Sequence, residues 1–296
     1  MNPIKKILLA TDFSDTSALA LEHARMLAGK TGAELHVLYV YVEPIQIYGV
    51  SGFPVPVEMG AQDKEKVQAK VAQWCGDAGI AIAEFERDYS APMAIRRYAE
   101  EQDIDVVVVG THGRQGVSRF FLGSVASEVI RTSSIPVLAV GPDQASRPEG
   151  YRKILAAVDF SEASLLAFHQ AVHLAELFEG ELTALHAVDT GKMPPYYPGE
   201  FARVEMSHAQ QALDDLLAPG ARDIRIDRLV AMGAPHELIV ETAVGGGSDL
   251  IVVGTAGLRG LKGLLTGSVA DRVVRSAPCP VLVLHNPVME DKTEQA

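Results

Sequence analysis

Short apolar runs alternate with amphipathic stretches along the whole chain. Residues 7–10, Ile-Leu-Leu-Ala, form a compact apolar run that ends at the polar pair Thr11-Asp12, the signature of a buried strand. Between 15 and 30, Leu19, His23, Met26 and Leu27 recur at helical spacing, and Gly29 and Gly32 close the segment. Glu34–Val42 reads as a second strand, 64–76 as an amphipathic helix and 81–87 as a third strand. Pro92 stands where a helix would begin, because its fixed φ suits the first turn, and that helix runs to about Glu101. Residues 105–109 are a continuous β-branched run, typical of a strand covered on both faces. A last helix over 123–132 and a last strand at Val137–Val140 complete a β-α-β-α-β-α-β-α-β order. Strands alternating with helices predict a parallel, doubly wound sheet, which binds ligands at the C-terminal ends of its strands near the switch in strand order.

The pattern then repeats. Lys6-Ile7-Leu8-Leu9-Ala10-Thr11-Asp12-Phe13-Ser14 returns as Lys153-Ile154-Leu155-Ala156-Ala157-Val158-Asp159-Phe160-Ser161. Val108-Val109-Gly110-Thr111 returns as Val252-Val253-Gly254-Thr255, and Gly123-Ser124-Val125-Ala126 as Gly267-Ser268-Val269-Ala270. Ile135-Pro136-Val137-Leu138 has its counterpart in Cys279-Pro280-Val281-Leu282. The same order in both halves means a duplication. The expected division is a first nucleotide-binding domain over 1–143, a linker over 144–150, a second such domain over 151–286 and a polar tail over 287–296. The polar, turn-rich stretch from 141 to 150 marks the boundary.

Composition narrows the classes of partner. The 296 residues suffice for two domains, and at 48% hydrophobic each half can pack a core. A formal net charge of −12 argues against a phosphate-backbone binder, which needs clustered Lys and Arg, and against adhesion to anionic membranes. Apolar runs such as 104–109 are strand-length, too short to span a bilayer. The opening Met1-Asn2-Pro3-Ile4-Lys5-Lys6 lacks a signal peptide's long apolar segment. Cys75 and Cys279 lie in different halves, which implies neither a disulfide framework nor a zinc site, and a reduced cytoplasmic setting is the expectation.

The candidate chemistry lies after the fourth strand of each half. Gly110-Thr111-His112-Gly113 is followed by nine residues and Gly123-Ser124; Gly254-Thr255-Ala256-Gly257 by nine residues and Gly267-Ser268. Both read G-x2-G-x9-G-S. The first glycine is expected to let the backbone turn off the strand tip, and the second to let N–H groups approach an anion. The third opens a helix whose unpaired N–H groups favour phosphate, and the Ser hydroxyl can donate to it. No GK[ST] follows, so this is not a Walker loop, and it is not the G-x-G-x-x-G dinucleotide fingerprint. A bland alternative makes these glycines a tight turn and nothing more.

With TDFS and VDFS at the first strand tips, the G-x2-G-x9-G-S loops and the closing proline-valine strands, the chain resembles the universal stress protein family over nearly its whole length. The resemblance implies two Rossmann-like, adenine nucleotide alpha hydrolase-like five-stranded sheets related by pseudo-two-fold symmetry. It implies ATP, or another adenine nucleotide, with magnesium carried by its phosphates. Asp12 and Asp159 would lie near ribose and phosphates, and the backbone at Val40 and Ala187 would meet the adenine. Gly110, Gly113, Gly123 and Ser124, with Gly254, Gly257, Gly267 and Ser268, would hold the phosphates. The neighbours Thr11, Val158, Arg114, Val125 and Val269 complete the expected set. The resemblance also places the last strands at a sheet edge. The apolar runs Val137–Val140 and Val281 to Leu284 are then expected to pair within one chain, and a homodimer is a further option.

Several residues admit two readings. Asp12 and Asp159 fit either a ligand contact or a cap on the following helix. Arg114, Arg119, Arg259 and Lys262 fit phosphate neutralisers and solvated charges equally. His112 has Ala256 as its counterpart, which argues against a general base needed in both halves. His23, His173, His186 and His208 read as structural, and Cys279 as a small core residue. The long segments 43–60 and 189–201 fit a flap over the ligand, an interface or a plain surface loop. Three functions compete: a regulatory nucleotide-binding module that signals through shape or partner choice, a slow ATP hydrolase or phosphate- or adenylate-transferring enzyme, and a nucleotide-free interaction protein. No base-and-nucleophile pair repeats in both halves and no lysine follows the loop glycines as in a Walker motif, which favours the first.

Overall fold

The computed structural model describes residues 3–42, 45–47, 54–56, 61–76, 82–88, 90–112, 122–142, 144, 149–189, 199–217, 224–255 and 269–285. Contacts divide the chain into two compact units, one formed by 2–130 with 137–150, the other by 151–296 with 131–136.

The first unit runs β1 (Lys6–Thr11), α1 (Asp15–Thr31), β2 (Glu34–Val42), β3 (Ile45–Ile47), β4 (Pro54–Pro56), α2 (Ala61–Cys75), β5 (Ile82–Asp88), α3 (Ala91–Glu101), β6 (Val106–Gly110), α4 (Ser124–Thr132) and β7 (Val137–Val140). The second runs β8 (Lys153–Ala157), α5 (Glu162–Phe178), β9 (Glu181–Val188), α6 (Gly199–Leu217), β10 (Ile226–Met232), α7 (Pro235–Gly246), β11 (Leu250–Thr255), α8 (Val269–Ser276) and β12 (Val281–His285).

Each unit carries the expected α/β architecture with a parallel five-stranded sheet. In the first the strand order is β5-β2-β1-β6-β7, and in the second β10-β9-β8-β11-β12. The order reverses between β1 and β6 and between β8 and β11, which opens a crevice at the carboxyl ends of those strands. The central strands are buried almost throughout: Ile7, Leu8 and Leu9 in one unit, and Leu250, Ile251 and Val252 in the other, are solvent-free. Uninterrupted apolar runs such as Val106 to Val109 follow from helices covering both faces of the strand.

The repeat extends to the fine structure. Asp105, just before β6, accepts the N–H groups of Lys5 and Lys6 at 2.7 and 2.9 Å. Asp249, just before β11, accepts those of Arg152 and Lys153 at 2.9 and 3.1 Å. Each carboxylate ties the start of the first strand to the start of the fourth. Burial pushes the Asp249 carboxyl up, against the lowering effect of those N–H donors. Cys279 is buried as expected, and burial, with the Asp249 charge, pushes its thiol up to about 12.

Helix caps set the register of α1 and α5. Ser14 Oγ accepts the Ser17 N–H at 3.2 Å, and Ser161 Oγ accepts the Ser164 N–H at 3.3 Å. α1 stops at Gly32, whose left-handed φ of 73° ends the helix without a Cβ clash. Pro92 and Pro235 each stand in the first turn of their helices.

One departure from the sequence reading lies in the segment 43–60. It holds two three-residue strands, β3 and β4, paired antiparallel in the register Ile45↔Pro56, Gln46↔Val55, Ile47↔Pro54. Strands that short, with a proline at both ends of β4, leave no alternating pattern to read. The end of the segment 189–201 likewise belongs to α6. No described helix is long and apolar enough to cross a membrane.

Candidate functional site

The tip of β1 turns into α1 through a network of short polar contacts. Thr11, buried at the strand end, donates through Oγ1 to Ser17 Oγ at 3.1 Å and accepts the Phe13 N–H at 3.0 Å. Asp12 Oδ1 accepts the Ser14 N–H at 3.0 Å. Besides capping α1, Ser14 Oγ donates to the His112 carbonyl at 3.4 Å, which links the β1 tip to the start of the glycine-spaced loop. Thr111 N–H donates to Val140 O at 2.8 Å, and the Thr111 carbonyl accepts the Gly123 N–H at 2.7 Å. The two ends of the loop therefore meet.

This last bond corrects an expectation. The Gly123 N–H does not aim at an anion, because it is used on Thr111. The Gly123 carbonyl accepts the Ser127 N–H at 2.8 Å, so Gly123 is the residue that caps α4. The helix-start donors without an acceptor inside the helix are those of Ser124, Val125 and Ala126. Gly110 also works differently from the sequence reading. A methyl group on it would lie 3.0 Å from Ser17 N and from the Thr16 carbonyl carbon, so it is close packing of α1 on β6 that requires glycine there.

The capping alternative for the strand-tip aspartates is also resolved. Ser14 and Ser161 cap the helices, while Asp12 and Asp159 brace the turn one step earlier. Asp159 Oδ1 accepts the Ser161 N–H at 3.0 Å and the Ser161 hydroxyl at 2.5 Å. Burial pushes this carboxyl up, but the hydrogen bonds involving Ser161 and Ser164 outweigh it and hold it below the usual carboxylate range.

Between aspartate and serine stands a phenylalanine in a left-handed conformation in both units, Phe13 and Phe160 with φ 62°. A bulky residue there is strained by about 1–3 kcal/mol, and such strain persists only when the surroundings impose it. Phe13 stacks on Tyr39 of β2 at 4.6 Å between ring centroids, with Trp74 edge-on at 5.7 Å and Lys70 Nζ 4.6 Å from the ring centre. Phe160 lies 4.8 Å from the His186 ring of β9. His186 Nδ1 sits 2.7 Å from the Val158 carbonyl; a carbonyl can only accept, so Nδ1 carries the proton.

In the second unit a cleft of about 700 Å³ opens at the carboxyl ends of β8, β9 and β11, within the size range of small-molecule sites. Five residues singled out from sequence line it: Val158, Asp159, Ala187, Gly254 and Val269. Its walls are largely aliphatic, with Asp159, Asp189 and Glu205 as carboxylates and His186 and His208 as imidazoles; none of its described lining residues is Lys or Arg.

The universal stress protein family model matches residues 3–141 and again 150–285. The chain belongs to the universal stress protein family. A universal stress protein of Mycolicibacterium smegmatis is 29% identical over 290 residues, covering 94% of this chain and 96% of that one. One from Methanocaldococcus jannaschii is 35% identical over 145 residues, 47% of this chain and 85% of its own. The crystal structure of a universal stress protein from Archaeoglobus fulgidus superposes on 96% of this chain and 99% of its own with a TM-score of 0.68 at 23% identity, a likeness of fold.

In this tandem universal stress protein, Thr11 and Asp12 stand at the β1 tip, Val40 on β2, Gly110 at the end of β6, and Ser124 and Val125 at the start of α4. Gly113, Arg114, Arg119, Gly257, Arg259, Lys262, Gly267 and Ser268 lie outside the described residues. The sequence reading took His186 and His208 as structural and did not single out Glu205, Ala209 or Ala212; all five line the cleft, His186 from β9 and the other four from one face of α6. Their spacing of three, four and seven residues from Glu205 was the available signal.

Proposed function

We propose that this universal stress protein is a regulatory module that binds an adenine nucleotide, ATP foremost, and signals through conformation or partner choice. The observation that carries the reading is the cleft of the second unit. It lies at the switch in strand order and gathers the strand-tip Asp159, the strand-2 residue Ala187, the strand-end Gly254 and the helix-start Val269.

The lining suits the nucleoside part of such a ligand. Aliphatic walls accept a purine face, the β9 backbone at Ala187 offers hydrogen bonds to its edge, and the lowered Asp159 carboxyl stays ionised to accept a ribose hydroxyl. Three carboxylates without a described cation are a poor match for bare phosphates. A triphosphate would therefore enter with Mg2+, and the α8 start would face it with unpaired N–H groups. Hydrolysis is the second reading, and nothing among the described groups pairs a base with a nucleophile across both units.

The test is mass spectrometry of small molecules released from the purified, unheated protein after stripping and re-incubation with a mixture of ATP, GTP, AMP and cAMP. The proposal expects adenine nucleotide to be retained and GTP not to be. Retention of none of the four refutes it.

A further inference from the structure

We infer that the two halves are not equivalent ligand sites: the second is open to a purine nucleotide, while in the first the indole of Trp74 occupies the place of the base. This inference rests on the nucleotide reading above and assigns occupancy to each half.

The argument starts from the helix after strand 2. In α2, residues 67–75 run half-buried, exposed, exposed, exposed, buried, exposed, exposed, half-buried, buried. In α6, residues 205–213 give the same order except that Met206 is half-buried. Val71 and Cys75 thus correspond to Ala209 and Leu213, the residues each helix seats in its unit. That register pairs Trp74 with Ala212, Lys70 with His208, and Val67 with Glu205. The repeat independently pairs Phe13 with Phe160 and Tyr39 with His186.

In the second unit, Phe160, His186, His208 and Ala212 all face the cleft. In the first unit their four counterparts close on one another. Phe13 stacks on Tyr39, Trp74 packs edge-on against Phe13, and the Lys70 ammonium sits over the same ring. The decisive change is Trp74 for Ala212. A methyl side chain leaves room beside the phenylalanine, and a bicyclic indole fills it. Indole and purine are fused five- and six-membered rings of nearly equal size, so the tryptophan takes the volume that a base would need. The aromatic contacts hold it there, and a base would have to displace them.

Calorimetric titration of Mg-ATP into the nucleotide-stripped full chain tests this, alongside Trp74→Ala and Ala212→Trp. The expected result is one site per chain in the wild type and two in Trp74→Ala. Ala212→Trp should lose at least tenfold in affinity at the wild-type site. Trp74 is the sole tryptophan, so acrylamide quenching of wild-type emission reads the first half directly without any variant. It should not change when Mg-ATP saturates the protein. Two equal sites in the wild type, or quenching that responds to Mg-ATP, overturn the inference and leave nucleotide binding standing. A folded Trp74→Ala that still titrates with one site also overturns it. No binding in any of the three proteins overturns the nucleotide reading itself, and the inference with it.

Discussion

Gly254 at the end of β11 lies pressed against the peptide between Ala163 and Ser164 at the start of α5: a methyl group on it would clash with the Ala163 carbonyl and stand 2.5 Å from the Ser164 nitrogen. Both obstacles are backbone, so the helix itself would have to move. At the equivalent Gly110 the same methyl group would stand 3.0 Å from Ser17 N. Gly254→Ala is therefore expected to destabilise the protein by about 1–3 kcal/mol, and Gly110→Ala by less. Urea midpoints of the two variants check this. A Gly254→Ala protein as stable as the wild type would mean that the close approach is not structural.

Ser161 serves the helix and the aspartate together. Its hydroxyl oxygen accepts the Ser164 N–H, and its proton goes to Asp159. Ser161→Ala is expected to cost about 0.5–2 kcal/mol at neutral pH through the lost cap. Because the folded Asp159 carboxyl is held below its ordinary value, its contribution to stability is present above the ordinary carboxylate range and is lost as pH falls through the lowered value. Without the Ser161 hydroxyl that contribution shrinks. The stability gap between wild type and variant should therefore narrow on acidification. A gap that widens as pH falls contradicts the sign.

Val269 is exposed in the first described turn of α8 and lines the cleft. A carboxylate there is favoured by the helix dipole, by about 0.3–1 kcal/mol. It would also face the phosphates of any bound nucleotide. Val269→Asp should thus raise or preserve the melting temperature of the nucleotide-free protein while weakening Mg-ATP binding at least tenfold. A variant that melts higher and binds ATP as well as the wild type would place the phosphates elsewhere.

How far the sequence carried depended on whether a feature was local. The buried strands and their alternating helices were legible because runs such as Val106 to Val109 declare burial on both faces. The duplication was legible from TDFS against VDFS. The partners of individual groups were not. That the Gly123 N–H goes to Thr111 depends on where the loop returns in space, and no spacing rule contains it. Gly110 and Gly254 were found as glycines, but their reason lies in a helix some ninety residues earlier in the chain, against which they pack. His186 read as structural because the histidines show no metal-like spacing. Its position past the end of β8, bonded to Val158, is what brings it to the cleft.

The last strands supply another expectation. β7 and β12 each end the strand order of their own unit, and apart from His285 they are apolar. An uncovered apolar edge invites pairing, and we expect the two edges to cover one another within the chain. Residues 1–143 and 144–296, co-expressed as separate chains with one tag, should then copurify in equal amounts. Two halves that elute independently as monodisperse monomers would contradict it.

The central claim is that adenine nucleotide binds in the cleft of the second unit. The most direct measurement is photolabelling of the full chain with 8-azido-ATP, followed by peptide mapping, with and without excess ATP. The account predicts ATP-competed adducts on peptides that contain residues 185–189 and 205–212. Adducts confined to peptides of the first unit, or labelling that excess ATP does not suppress, would contradict it.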